Sequence, residues 1–229
     1  MTLSSPIVEI DYPESDGKPM GETDLHRDWM FRLIEMLKYR YRGQQVYVSG
    51  DLLVYFEERN PKRYVVPDAF AVKDCDPGRR RIFKIWEEGR VPNAIFEVTS
   101  RRTKRRDLKI KPAIYSRLRV PECFLYDPTA DYLDPPLQGF RLAGDDYCRI
   151  EPDASGALVC EELDLLLRLE GGQLLLLDGT SGERLLTEAE AGRAAQQALE
   201  AERQAREAAE AENRRLREML RSQPPPANG

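Results

Sequence analysis

The apolar positions of residues 24–42 predict an amphipathic helix. Apolar side chains recur there at intervals of three and four residues, from Leu25 to Tyr41, and this spacing places them on one face of a helix. Thr23 or Asp24 can cap its N-terminus. Residues 1–22 are polar and contain several prolines and glycines, so we expect an extended lead-in before the helix.

Beyond this helix the pattern changes to short apolar runs. β-branched and aromatic residues, separated by turn residues, predict strands at 45–50, 51–58, 63–74, 81–86, 93–100 and 122–127. A helical stretch is expected at about 104–118. Residues 138–186 predict further short strands between Gly and Asp turns, which form either a β appendage or an extension of the sheet.

The C-terminal part of the chain differs in composition. Within residues 187–221, an alanine stripe at helical spacing runs from Ala191 to Ala208 and is continued by Leu216 and Met219. This pattern predicts a long single helix or a marginal coiled coil. We expect residues 222–229 to be a disordered end. The predicted organisation is therefore a lead-in at 1–22, a domain at 23–186 with a β extension at about 138–186, a helical tail at 187–221 and the end at 222–229.

Composition narrows the possible chemistry. The chain has 229 residues and a single histidine, His26, which argues against zinc hydrolases and against Ser-His or Cys-His catalysis. It has no glycine motif of the GxGxxG or GxxxxGK type, as dinucleotide enzymes and P-loop ATPases require. The four cysteines show no CxxC spacing and are expected to be reduced thiols. Because neither a signal peptide nor a membrane-spanning run is apparent, we expect a soluble cytoplasmic protein.

Two acidic residues interrupt apolar strand segments. Asp68 lies in VVPDAFAV and Glu97 in NAIFEVTS, and strand alternation places each on an apolar face. Burying an ionised carboxylate costs several kcal/mol unless a cation or hydrogen-bond donors compensate it, so the pair suggests a shared cation. Two other interpretations stay open, because Asp68 could turn to solvent at a strand end and Glu97 could lie on an edge strand.

A strongly basic segment follows Glu97. Between residues 101 and 111 seven basic residues face one acidic residue, Asp107, which gives +6 in a chain of net charge −5. Such a segment suits a phosphodiester substrate, because phosphate contacts dominate the affinity for nucleic acid. Alternatively it is a solvated face, on which Asp107 and Lys111 form a surface ion pair. The basic residues are Arg101, Arg102, Lys104, Arg105, Arg106, Lys109 and Lys111.

Taken together, these motifs resemble the PD-(D/E)xK restriction-endonuclease-like superfamily, and in particular the Uma-two (Uma2) group of bacterial endonuclease-like proteins. The resemblance covers roughly residues 24–186. It is carried by Pro67-Asp68, by Glu97-Val98 with Ser100, by Asp107, Lys111 and Tyr115, by Val120-Pro121-Glu122 and by Asp127-Pro128.

The resemblance implies an α/β (α+β) fold with a mixed central sheet flanked by helices. It also implies that Asp68 and Glu97 bind Mg²⁺ or Mn²⁺ and that a lysine orients the attacking water. Thr99 occupies the lysine position of the (D/E)xK motif, so the catalytic lysine is expected to be Lys111. Pro112 should disfavour the α conformation at Lys111, which leaves Lys109 as the alternative.

His26, Glu22 and Tyr115 are candidate accessory residues, although His26 could equally cap or pack the first helix. The resulting hypothesis is a metal-dependent endonuclease that hydrolyses DNA and has no membrane association, with a possible homodimer through the nuclease domain or the tail. The main alternative is a non-catalytic nucleic-acid-binding module whose tail recruits a partner. In a third hypothesis the tail is the functional part of an interaction protein.

Overall fold

The computed structural model of the protein describes residues 10–15, 17, 23–100 and 103–221. The chain divides into two compact units, Met1–Leu185 and Leu186–Gly229. Along the chain the elements are α1 (Asp24–Arg40), β1 (Val46–Ser49), β2 (Val54–Tyr55), β3 (Tyr64–Val65), β4 (Ala69–Lys73), β5 (Phe83–Lys84), α2 (Ile85–Glu88), β6 (Ala94–Val98), a π-helical turn (Arg106–Ile110), α3 (Lys111–Arg117), β7 (Glu122–Tyr126), β8 (Leu137–Ala143), β9 (Asp146–Arg149), β10 (Leu158–Cys160), β11 (Leu165–Glu170), β12 (Gln173–Asp178) and α4 (Glu188–Arg221).

A six-stranded mixed sheet forms the centre of the first unit. Its strand order is β1-β4-β6-β7-β8-β9, in which β6 and β7 are parallel and the other pairs antiparallel. Two three-stranded sheets accompany it, with orders β3-β2-β5 and β10-β11-β12. The predicted mixed α/β fold class is confirmed.

Both faces of the central sheet are buried. On one face, α1 packs its apolar side, including Leu33 and Leu37, in one core cluster with Phe96 of β6. On the other face, Ile95 of β6 shares a second core cluster with Tyr115 of α3. The polar side chains of β6 therefore lie in a dry environment, where an ionised group needs a partner.

The first helix begins as predicted and ends two residues early. Thr23 is its N-cap, and its hydroxyl accepts a hydrogen bond of 3.2 Å from the His26 N–H. The expected strand 63–74 is wrong as a single element, because β3 ends at Val65 and β4 begins at Ala69. Pro67 interrupts it, since proline has no N–H to give to a sheet ladder. The expected strand 81–86 is likewise divided between β5 and the short helix α2.

The predicted strands of residues 138–186 follow both alternatives. β8 and β9 extend the central sheet, whereas β10, β11 and β12 form a sheet of their own. All four cysteines are free, as expected from their spacing.

The helical stretch predicted at 104–118 is a π-helical turn that leads into α3. Lys111 has φ −62° and ψ −48°, so it adopts the α conformation that Pro112 was expected to disfavour. The Lys111 N–H bonds to the carbonyl of Arg106, five residues earlier. In a regular α-helix the ring of Pro112 would clash with the carbonyl four residues earlier. The wider π-helical turn reduces this clash.

The second unit contains the 34-residue helix α4. Thr187 and Glu190 form a capping box at its N-terminus, in which each side chain accepts a hydrogen bond from the other residue's N–H. Pairs such as Arg206–Glu210 line its polar surface. Coiled-coil pairing stays a prediction, and residues 222–229 lie outside the described part of the chain. Within that part, none of the helices combines the length and the apolar character needed to cross a membrane.

Candidate active site

Asp68 and Glu97 meet at one end of the central sheet. β4 and β6 pair Ala69 with Phe96, so the next residues outward, Asp68 and Glu97, lie side by side. The Val98 N–H donates a hydrogen bond of 2.7 Å to Asp68 Oδ2, and the Asp68 N–H donates one of 3.3 Å to Glu97 Oε2. Glu97 is 1% exposed on an interior strand, which rules out the edge-strand interpretation.

Gly50 makes room for the backbone of Asp68. A Cβ atom at Gly50 would overlap the carbonyl oxygen of Asp68 and would lie 2.7 Å from Cδ1 of Ile34. A side chain at residue 50 would therefore displace the backbone of Asp68. Local sequence patterns do not indicate Gly50, because only the fold brings residue 50 next to residue 68.

Two side chains on one face of the helical segment donate hydrogen bonds to Glu97. Lys111 Nζ lies 2.6 Å from Glu97 Oε2, and the Tyr115 hydroxyl donates a hydrogen bond of 2.5 Å to Oε1. Both side chains are buried. Three of the predicted site residues, Asp68, Glu97 and Lys111, thus converge, and Tyr115 joins them.

Asp107 is a third carboxylate in the same cluster. It is 0% exposed, and its Oδ1 lies 3.4 Å from Lys111 Nζ. The ion pair expected between Asp107 and Lys111 therefore exists, but it is buried and not on the surface. Asp107 was not among the predicted site residues, although the four-residue spacing of 107, 111 and 115 indicates one helix face.

The charges of the cluster do not balance. Burial raises the pKa of Glu97 to about 8, against the opposing effect of Lys111 and with the help of Asp68 and Asp107. Burial also raises the pKa of Asp107. For Lys111 burial alone would lower the pKa, but the three carboxylates raise it. One ammonium thus faces three carboxylates, and the excess negative charge favours a proton on Glu97.

Asp68 behaves differently from Glu97. Burial alone would raise its pKa, but Lys111, His26 and the Val98 N–H outweigh that effect and lower it. His26 is buried in the first turn of α1, with Nε2 3.5 Å from Asp68 Oδ1. His26 therefore contacts the predicted site, and its accessory role stays a prediction.

The other predicted residues lie at the surface or outside the described residues. Lys109 is exposed, unlike its neighbour Lys111. Lys104, Arg105 and Arg106 are also exposed, in the segment that leads from β6 to Lys111. Glu22, Arg101 and Arg102 lie outside the described residues.

The donor set fits a hard divalent cation in chemistry and charge. Carboxylate oxygens are the ligands that Mg²⁺ prefers, and the cluster carries excess negative charge. The buried hydroxyl of Thr99 and both carboxylate oxygens of Asp107 have no hydrogen-bond partner among the described residues. In the same part of the chain, no group of three or more His, Cys, Asp or Glu side chains is arranged as a metal site. Mg²⁺ is commonly bound by two carboxylates, with water and phosphate oxygens completing its coordination shell.

Comparison with known proteins identifies a matching family and a similar solved structure. The family model described as "Uma2: Putative restriction endonuclease" matches residues 7–171. Among solved structures, the chain is similar to a protein described as a putative nuclease belonging to DUF820 from Anabaena variabilis ATCC 29413. The two are 17% identical, with a TM-score of 0.38, and the match covers 60% of this chain and 73% of the other. No curated protein matches the chain.

Proposed function

Because the chain belongs to the Uma2 family of restriction-endonuclease-like proteins, we propose that it is a metal-dependent endonuclease that hydrolyses the phosphodiester bonds of DNA. One observation carries the proposal. Asp68, Glu97 and Lys111 come from three different parts of the chain, and they meet at one sheet end with Lys111 Nζ 2.6 Å from Glu97. A buried cluster with perturbed pKa values is typical of a functional site.

In this proposal each residue has one role. Asp68 and Glu97 would hold Mg²⁺ or Mn²⁺, and the bound ion supplies an acidified water and positive charge at the phosphate. Lys111 would orient the attacking water by donating a hydrogen bond to its oxygen. Tyr115 fixes the orientation of the Glu97 carboxylate through its hydrogen bond to Oε1, and His26 is an accessory residue beside Asp68.

The basic segment supplies the contact with DNA. Lys104, Arg105 and Arg106 are exposed next to the cluster, and the sequence adds Arg101 and Arg102 to the same segment. The whole chain has a net charge of −5, so a phosphate backbone is attracted only by a local patch. This segment is that patch.

The test is nicking of supercoiled plasmid with Mg²⁺ or Mn²⁺ by wild type and two lysine variants. Lys111→Ala should lower the rate about 100-fold, the size of effect expected when a reacting group is no longer positioned, with DNA affinity nearly unchanged. Lys109→Ala is the matched control from the same segment and should leave the rate at saturating DNA unchanged. Cleavage in EDTA, or a larger loss in Lys109→Ala, would contradict the proposal.

A non-catalytic nucleic-acid-binding module is the second candidate. It is favoured by Lys111, which already pairs with Glu97 where a metal ion would bind, and by the lack of a three-residue metal group among the described residues. In that case the protein binds DNA without turnover and α4 recruits a partner, or a second copy of the chain as a homodimer. Salt-dependent DNA binding without metal-dependent nicking would favour this candidate, and light scattering of the full chain would report a dimer.

A further inference from the structure

Asp107 has no role in the proposed reaction, yet it is buried in the same cluster. Its side chain is 1% exposed, and its one ion pair in the described part of the chain is the 3.4 Å contact with Lys111, while neither oxygen has a close hydrogen bond there. A buried carboxylate that is held by one long contact lowers stability. This cost suggests that Asp107 serves something other than stability.

We propose that Asp107 is the positioning residue for Lys111, a second carboxylate that holds its ammonium group in addition to Glu97. Lys111 Nζ has two carboxylates within 4.0 Å among the described residues, Glu97 at 2.6 Å and Asp107 at 3.4 Å. An ammonium group has three N–H donors. The hydrogen bond to Glu97 uses one of these donors, and the longer ion pair with Asp107 adds a second electrostatic anchor. Donors remain for a water or phosphate oxygen in the site.

A second anchor matters because lysine is flexible. Ordering a lysine side chain costs about 2 kcal/mol of rotamer entropy. Its ammonium group also interacts as a point charge, so a single partner does not fix its orientation. With Glu97 alone as partner, the ammonium loses its anchor whenever Glu97 binds another cation. Asp107 is one helical turn before Lys111 on the same face and retains the ammonium in that case.

The local backbone supports this arrangement. Asp107 lies in the π-helical turn and Lys111 directly follows it. The wider turn allows Pro112 to follow Lys111 without breaking the helix, so that residues 107, 111 and 115 all face Glu97. Single π-helical turns inside helices are frequent at functional sites.

The direct test is the ¹⁵N–¹H signal of the Lys111 ammonium in the metal-free full-length protein. A buried ammonium held by two carboxylates exchanges its protons slowly enough to be observed. We expect the signal in wild type, its loss or broadening in Asp107→Asn, and its recovery in Asp107→Glu. A signal unchanged in Asp107→Asn would overturn the proposal, and so would loss of the signal in both variants. Asparagine removes a buried charge without changing shape, and the backbone spectrum confirms that this variant is folded.

The consequence for turnover rests on the proposed endonuclease function and is measured separately. Asp107→Asn should lower kcat for plasmid nicking about 10-fold or more, with KM for DNA unchanged, and should have no further effect in the Lys111→Ala background. An equal loss in both backgrounds would mean that Asp107 acts independently of Lys111, which overturns the proposal. If wild type shows no metal-dependent nicking, the endonuclease function fails, and the ammonium signal still decides whether Asp107 positions Lys111.

Discussion

Glu97 and Glu122 are two buried glutamates on neighbouring parallel strands with very different surroundings. Glu97 is 1% exposed on β6 and Glu122 is 0% exposed on β7. Glu122 accepts a hydrogen bond of 2.9 Å from Arg141 Nε. Its other donors are the backbone N–H groups of Glu161 and Glu162, at 3.1 and 3.0 Å, and the Cys160 thiol at 3.0 Å.

The difference separates a structural carboxylate from a functional candidate. Glu122 faces one guanidinium and several N–H donors, and these contacts tie the central sheet to the segment after β10. Glu97 also has donors, Lys111 and Tyr115, but two more carboxylates, Asp68 and Asp107, share the same ammonium. The two glutamates are therefore equally buried, but the charge of Glu122 is compensated by its partners, whereas negative charge is in excess around Glu97. Only the surroundings of Glu97 favour binding of another cation.

The same substitution should affect stability differently at the two glutamates. In EDTA at pH 8, Glu122→Gln should lower the free energy of unfolding by about 3 kcal/mol, because an amide group replaces an oxygen that accepts hydrogen bonds from Arg141 and backbone N–H groups. Glu97→Gln should melt no lower than wild type, because it removes one of three competing carboxylates. Glu161→Gln is the control, since Glu161 is 65% exposed and pairs with the same Arg141, and it should change stability by at most about 0.5 kcal/mol. Equal losses at Glu97 and Glu122 would remove the distinction.

The pH dependence of stability should depend on Glu97. Its folded pKa of about 8 lies above its ordinary value of 4.5, so the folded state holds a proton that the unfolded chain has lost. This contribution is full below 4.5 and declines as pH rises towards 8, with a slope of at most about 1.4 kcal/mol per pH unit. Denaturation in EDTA at several pH values should show this decline in wild type.

The same stability measurements on variants should show which residue causes the decline with pH. Glu97→Gln should flatten it, leaving the smaller contribution of Asp107, whose pKa is raised in the same direction. Glu122→Gln should keep the slope. Asp68 acts in another window, because its pKa is lowered from 3.8, so the stability that it adds is lost as pH falls below that value.

Divalent metal should stabilise the fold through one glutamate only. At roughly 10–100 times Kd, Mn²⁺ should add about 1.4–2.7 kcal/mol, and each kcal/mol corresponds to roughly 2–4 °C in a chain of this size. The increase in Tm should disappear in Asp68→Asn and Glu97→Gln and persist in Glu122→Gln. Coincident wild-type melting curves in EDTA and in excess Mn²⁺ would count against the metal site.

Local patterns were enough to predict much of the fold. The helix at 24–42 and most strands follow from side-chain periodicity and from the cap at Thr23, which depend on neighbouring residues only. The strand at 63–74 was predicted as one element, because its composition favours β structure throughout and the interruption at Pro67 is a backbone effect. The pairing of Asp68 beside Glu97 depends on sheet register, which motif resemblance suggested and periodicity alone did not.

The parts that could not be predicted depend on contacts distant in the sequence. An acidic residue in an apolar strand looks the same at Glu97 and Glu122, and only their partners distinguish them. Asp107 and Lys111 have the spacing of an ordinary surface ion pair, so their burial follows from how α3 packs on the sheet. Gly50 is one of 15 glycines, and its closeness to Asp68 exists only in the folded chain.

The smallest expected effect is on DNA affinity, and it comes from the exposed residues near each glutamate. Lys104, Arg105 and Arg106 are exposed near Glu97, whereas the acidic Glu161 and Glu162 follow the strand that contacts Glu122. If the basic segment binds phosphate, Arg105→Ala should weaken binding to any DNA sequence and reduce the slope of log K against log salt by about 0.9 for one lost contact. Lys38→Ala is the matched control, because Lys38 is exposed and lies 12 residues after His26, about 18 Å further along α1. Anisotropy titrations at several salt concentrations should show the smaller slope only for the arginine variant. Equal slopes for wild type and both variants would make the segment a solvated surface and leave the buried cluster without a DNA-binding patch of its own.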